Sequence, residues 1–129
     1  MSAEYSIQVD PLRDLVRIRM SGFFTPEDIE GFLAARRDAH TQLTCRLNAH
    51  LTINDLREMK IQSQEIVDAF RAMLAAPEYR SRRLAFIVSS TLARSQLGRA
   101  LGGRDARCFE DPAEAERWLF ARGDEAEAA

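Results

Sequence analysis

Leu51–Glu65, LTINDLREMKIQSQE, is the stretch on which the reading of this chain turns. Leu51 and Ile53 are apolar at a spacing of two, as in a strand that turns one face inward. Asn54 and Asp55 end the apolar run, a polar turn follows, and Glu65, Ile66 and Val67 lead a helix. In an open α/β sheet, the end of such a strand and the loop after it are where functional sites lie. Asn54, Asp55, Ser63 and Glu65 are therefore the first candidate binding residues.

Working towards the N-terminus, Ser6 to Val9 follow a period of two, with Tyr5, Ile7 and Val9 on one face. Asp10-Pro11-Leu12-Arg13-Asp14 is turn chemistry. Leu15 to Met20 alternate Val16, Ile18 and Met20 against Arg17 and Arg19, as a half-exposed strand does. These two strands make an antiparallel hairpin. Gly22 ends the second of them, and Thr25-Pro26-Glu27-Asp28 opens a helix with a capping hydroxyl, a proline at the first turn and acids at the positive end of the dipole. Ile29, Phe32, Leu33 and Arg36 continue it to about Leu43, and either Phe23 or Phe24 staples onto Ile29.

Towards the C-terminus, a helix over about Gln62 to Ala75 carries Ile66, Phe70, Met73 and Leu74 on one stripe, and Pro77 closes it. Leu84 to Val88 (LAFIV) is continuously apolar, which predicts a strand buried on both faces. Ser89, Ser90 and Thr91 cap a further helix that ends at Gly102-Gly103, with hydroxyls and amides that either bind a small anion or only cap. Arg107 to Phe109 is a short strand, and Asp111-Pro112-Ala113-Glu114 opens a last helix with Ala115, Trp118 and Leu119 inward. The order predicts an α/β fold: a mixed, mainly parallel sheet of about five strands, with an N-terminal hairpin and about four helices. Residues 1–122 read as one domain, and 123–129 as an acidic, disordered tail.

Composition narrows the function. With 129 residues and 46% hydrophobic content, the chain can build one core. Its 18 basic and 20 acidic residues, net −2, argue against a dedicated nucleic-acid binder. No apolar run approaches the ~20 residues of a membrane span. The N-terminus lacks the pattern of a secretory signal, so a cytoplasmic location is expected. Cys45 and Cys108, and His40 and His50, have no metal-ligand spacing, so neither metal nor cofactor is expected. The histidines read as solvated or packed side chains. Arg80, Arg82 and Arg83 form the clearest basic patch, either a solvated link or a contact for an acidic partner. Asp55 reads as a loop cap or a site carboxylate, but nothing near it completes a catalytic constellation, so an enzyme is not expected.

The chain resembles the STAS-like superfamily, the fold of bacterial anti-sigma-factor antagonists. It is similar in particular to the small stand-alone STAS-like proteins also grouped with lipid-binding CRAL-TRIO domains. The resemblance spans about Tyr5 to Arg122. It rests on the hairpin leading into GFFTPEDIEGF, the strand with Asn54-Asp55, the RLAFIV strand and the closing CFEDPAEAERWL. It implies a non-enzymatic regulatory module that binds a protein partner. In the antagonist branch, a serine at the start of the helix after the third strand is phosphorylated, which breaks partner binding. Ser63 falls near that place, without the Asp-Ser-Ser-Gly type surroundings of that branch and after an additional polar segment, Arg57-Glu58-Met59-Lys60, that shifts the register. The alternative is a carrier or sensor of an apolar or anionic small ligand, with Phe32, Phe70 and Met73 lining a cleft between helices and sheet. A homodimer is compatible with either reading.

Overall fold

The computed structural model describes residues 2–89 and 106–121. Its opening hairpin pairs β1 (Glu4–Asp10) with β2 (Leu15–Gly22), with Ile7 opposite Ile18. Asp10 closes the turn, its carboxylate accepting from the Leu12 N–H at 3.2 Å and from Arg13 Nε at 2.8 Å. Asp14 takes a left-handed conformation, φ 48°, which aspartate tolerates better than most residues. Its carboxylate accepts from the Thr44 N–H at 2.7 Å and so ties the hairpin to the loop after the first helix.

That helix, α1 (Pro26–His40), opens with a complete capping box between Thr25 and Asp28. Phe24 supplies the staple: it is buried in the same cluster as Ile29, while Phe23 stays in solvent. α1 ends before the expected Leu43. The Thr41 hydroxyl bonds back to the Asp38 carbonyl at 2.6 Å, and the Gln42 and Leu43 N–H groups reach Ala39 and His40 in tighter turns. Leu43 still packs on the core.

β3 (Leu51–Met59), β4 (Arg83–Ile87) and β5 (Ala106–Phe109) continue the sheet in the order β1-β2-β3-β4-β5. Every pairing after the hairpin is parallel. α2 (Gln64–Ala75) and a single-turn 3-10 helix (Pro77–Tyr79) connect β3 to β4, and α3 (Pro112–Phe120) follows β5. The helix expected between Ser89 and Gly103 lies outside the described residues, as does the acidic tail; three α-helices lie within them. The mixed, mainly parallel sheet with its N-terminal hairpin is as the sequence predicts.

The two faces of the sheet are closed by different helices. Val16, Ile18 and Met20 meet Phe24, Ile29 and Phe32 with Ile66 and Met73, under α1 and α2. On the other face Leu15, Leu51, Ile53, Ala85 and Ile87 meet Ala115, Trp118 and Leu119 of α3. β4 is buried throughout, as its continuous apolar run requires. Among the described residues α3 packs mainly on β3, β4 and β5 and meets β2 at Leu15 and Arg17, and no described helix packs on the face of β1 and β2 around Arg19 and Ser21. Phe32 and Met73 are fully committed to the first core, and Phe70 packs edge-on against both Phe24 and Phe32.

β3 runs further than its sequence suggests. The register passes from Arg19 opposite Asp55 to Ser21 opposite Glu58, so Leu56 and Arg57 together face Met20. This is a β-bulge. It keeps the polar segment Arg57-Glu58-Met59 paired with β2, so Asn54 and Asp55 lie inside the strand instead of at its end. α2 correspondingly starts at Gln64, with Ser63 as its cap.

Gly22 stands where three pieces of chain meet. Its φ is 81°, and a side-chain Cβ there would lie 2.2 Å from the carbonyl oxygen of Ser2. Gly22→Ala should therefore lower stability by about 2 kcal/mol or more in urea unfolding, since both strain and clash oppose it.

A buried polar cluster closes the opposite end of the sheet. His40 and His50 meet edge to face with ring centroids 4.7 Å apart, and Tyr79 lies 5.5 Å from His40. His50 Nε2 is 3.3 Å from the Ser81 hydroxyl, and the Arg36 guanidinium lies 5.1 Å from the Tyr79 ring centre. Burial, helped by the Arg36 charge, brings both imidazoles from 6.5 down to about 4. Between pH 6.5 and 4 the unfolded chain therefore binds more protons than the folded one. The histidine contribution is complete above pH 6.5 and is lost as the pH falls towards 4. Urea midpoints should drop across that window, and His50→Gln should flatten the decline.

Candidate functional site

Ser21 and Gly22 at the end of β2 run beside Glu58 and Met59 at the end of β3. The segments that leave these two strands are clipped together by one side chain, Gln62. Its Oε1 accepts from the Phe24 N–H at 2.9 Å, and its Nε2 donates to the Gly22 carbonyl at 2.9 Å and to the Lys60 carbonyl at 2.5 Å. The Lys60 N–H also reaches the Gly22 carbonyl at 3.2 Å. The chain thus holds Phe23 and Ile61 on adjacent segments, and both project outward: Phe23 is 45% exposed and Ile61 92%. Ser63, also exposed, follows directly and caps α2, its hydroxyl accepting from the Ile66 N–H at 3.4 Å.

Immediately beside this apolar pair, the open half of the sheet carries a shallow groove of about 220 Å³ lined by Glu4, Tyr5, Ser6, Arg19, Ser21 and Glu58. Arg19 pairs with Glu58 at 2.8 Å, both side chains well exposed. Nearby, Arg57 holds Asp55 in a two-point ion pair, with Nε on Oδ1 at 3.0 Å and a second nitrogen on Oδ2 at 2.8 Å. Arg17 reaches across to Glu116 of α3 and closes the border of the covered half.

The candidate residues do not form one cluster. Asp55 and Asn54 point to opposite faces, as successive strand residues must. Asn54 lies in register between Ile18 and Phe86, under the α1–α2 side, 4% exposed and with its Oδ1 unpartnered. Asp55 faces the open side, and the Arg57 hydrogen bond holds its carboxyl below the usual range despite partial burial. A carboxylate so held is ionised and engaged, the reverse of a group poised to exchange a proton near neutrality. Glu65 is exposed in the first turn of α2, near Ser63. Ser89 is exposed just beyond β4, and Ser90 lies outside the described residues.

The three arginines before β4 separate. Arg80 and Arg82 are in solvent, but Arg83 is buried and does not belong to a surface patch. It donates to the carbonyls of Trp118 at 2.9 Å and Ala121 at 2.6 Å, the unpaired C-terminal end of α3. Its position in β4 shares the inward face of Ala85 and Ile87, which turns it towards that helix. Among the described residues no three His, Cys, Asp or Glu side chains converge as metal ligands, and no helix is long and apolar enough to cross a membrane.

Phe23, Ile61 and Gln62 carry the surface, and sequence pattern gave little sign of them. The available signal was a pair of aromatics before a cap, of which only one could enter the core.

This architecture is similar to the solved structure of an uncharacterized protein of the DUF3478 family with a SpoIIAA-like fold, from Shewanella loihica PV-4. The TM-score is 0.73 with 17% identical residues, covering 91% of this chain and 94% of that one. No family model and no curated protein matches the chain. The likeness establishes the fold, SpoIIAA-like and hence STAS-like, in agreement with the sequence resemblance.

Because Gln62 makes three hydrogen bonds to backbone groups of two segments, Gln62→Ala should cost about 1–2 kcal/mol in urea unfolding. Amide exchange should rise first at Phe24, whose N–H loses its acceptor.

Proposed function

We propose that this protein is a non-enzymatic binding module that recognises a protein partner through the surface formed by Phe23, Ile61 and the start of α2. The observation that carries this reading is the exposure of two large apolar side chains on adjacent, hydrogen-bonded segments, where a free surface would favour polar residues. The backbone beneath them is anchored by Gln62, so a partner would meet a largely preorganised surface. Ser63 stands at the edge of the same surface. A phosphate on it would be welcomed by the α2 amides while adding about two negative charges to the contact. Phosphoryl control of this surface is part of the proposal. The paired state of Asp55 supports a role without catalysis.

The carrier alternative draws less support. Phe32 and Met73, named for a ligand cleft, fill the core between sheet and helices.

The test is affinity purification of the full chain from its own host, followed by reconstitution with any recovered polypeptide as a purified protein. The wild type should bind it at defined stoichiometry. The double variant Phe23→Ser, Ile61→Ser should lose at least tenfold in affinity, about 1.4 kcal/mol, with little change in unfolding midpoint. Binding that survives the double variant would refute this surface.

A further inference from the structure

The groove and the apolar pair are continuous. Ser21 and Glu58 line the groove and form one register row; Gly22 and Met59 form the next, and Phe23 and Ile61 lie just beyond it. The charge lining the groove is unbalanced. Glu4 and Glu58 face it with Arg19, two carboxylates against one guanidinium. Arg19 is already paired with Glu58, Asp55 and Arg57 neutralise one another, and Glu4 has no ion pair among the described residues. Lys60 is the one further cation on the connection.

We infer that the partner segment received here is cationic and apolar: a lysine or arginine side chain that enters the groove between Glu4 and Glu58, with adjacent apolar residues seated on Phe23 and Ile61. The inference rests on the proposed docking surface and names the chemistry of its occupant. Among the described residues no helix packs on the face of β1 and β2 around Arg19 and Ser21, so an extended segment can lie along the groove. The exposed Arg19–Glu58 pair opens at little cost, because an ion pair in solvent contributes little. An incoming cation then bridges Glu4 and Glu58, while Ser6 and Ser21 supply hydroxyl acceptors. An acidic segment would meet a surplus of carboxylates and be repelled.

The test is selection from a random peptide display library on the immobilised full-length protein, with the binders resynthesised and measured by fluorescence anisotropy. Peptides carrying a lysine or arginine beside apolar residues should be enriched. Their affinity should fall about tenfold for Glu4→Lys, Glu58→Lys, fall with rising salt, and vanish for Phe23→Ser, Ile61→Ser. Charge-reversed protein should in turn select acidic peptides. Binders that need Phe23 and Ile61 but show no basic preference would overturn this inference and leave the docking surface standing. Binders indifferent to Phe23 and Ile61, self-association through the surface, or no enrichment would overturn both.

Discussion

The parallel pairing of β3 with β2 is the constraint from which the remaining architecture follows. β3 joins the N-terminal hairpin to the parallel half of the sheet, so its register decides which residues face α1 and α2 and which face α3. One bulge, with Leu56 and Arg57 opposite Met20, extends that pairing to Gly22 and Met59. Were Leu56 and Arg57 paired regularly, one to each β2 residue, Glu58 would fall opposite Gly22 on the other face and the ion pair with Arg19 could not form, because side chains alternate along a strand. The bulge therefore links a backbone irregularity to the groove and to the clip made by Gln62.

The two faces of the sheet are unequally covered, and the unequal cover has a physical origin. Crossovers from β2 to β3 and from β3 to β4 place α1 and α2 on one face, where α1 reaches over β1. α3 follows the last strand and is free to close the other face, but one helix of nine residues cannot span five strands. The half it leaves open is made tolerable by charge: Arg17 meets Glu116 at its border, and Arg19 meets Glu58 within it. This polar lining solvates the part of the sheet face that no described helix covers.

The opposite end of the sheet is closed by the reverse strategy, polar groups taken out of water. Thr52, Ser81 and His50 form a hydrogen-bonded chain, with a Thr52–Ser81 separation of 2.5 Å, and Asn48 in a left-handed turn donates to the carbonyls of Pro77 and Arg80, each at 2.7 Å. Arg83 does the same for α3 by satisfying the carbonyls at its C-terminus. These contacts rigidify one end of the molecule, while the end bearing Phe23, Ile61 and Ser63 keeps its apolar groups in solvent. Anchored and presenting ends are separated along the strands.

By itself the sequence determined the elements and their order. Strand periodicity at Tyr5, Ile7 and Val9, the cap at Thr25, the apolar run LAFIV and the turn chemistry at Asp10–Asp14 are local signals, written within a few residues of where they act. Even the STAS-like resemblance follows from such pieces in order. What the tertiary structure alone decided is which way each ambiguous residue turns. Phe24 rather than Phe23 enters the core, Arg83 rather than Arg82 is buried, and Asn54 and Asp55 face opposite sides. The bulge in β3 and the reach of Gln62 back to Gly22 and Phe24 belong to the same class. Each depends on partners distant in sequence, and polar residues such as Arg57 and Gln62 carry no periodicity that would announce them. The surface around Phe23, Ile61 and Gln62 is built from these long-range choices, so its elements could be read from the chain but its assembly could not.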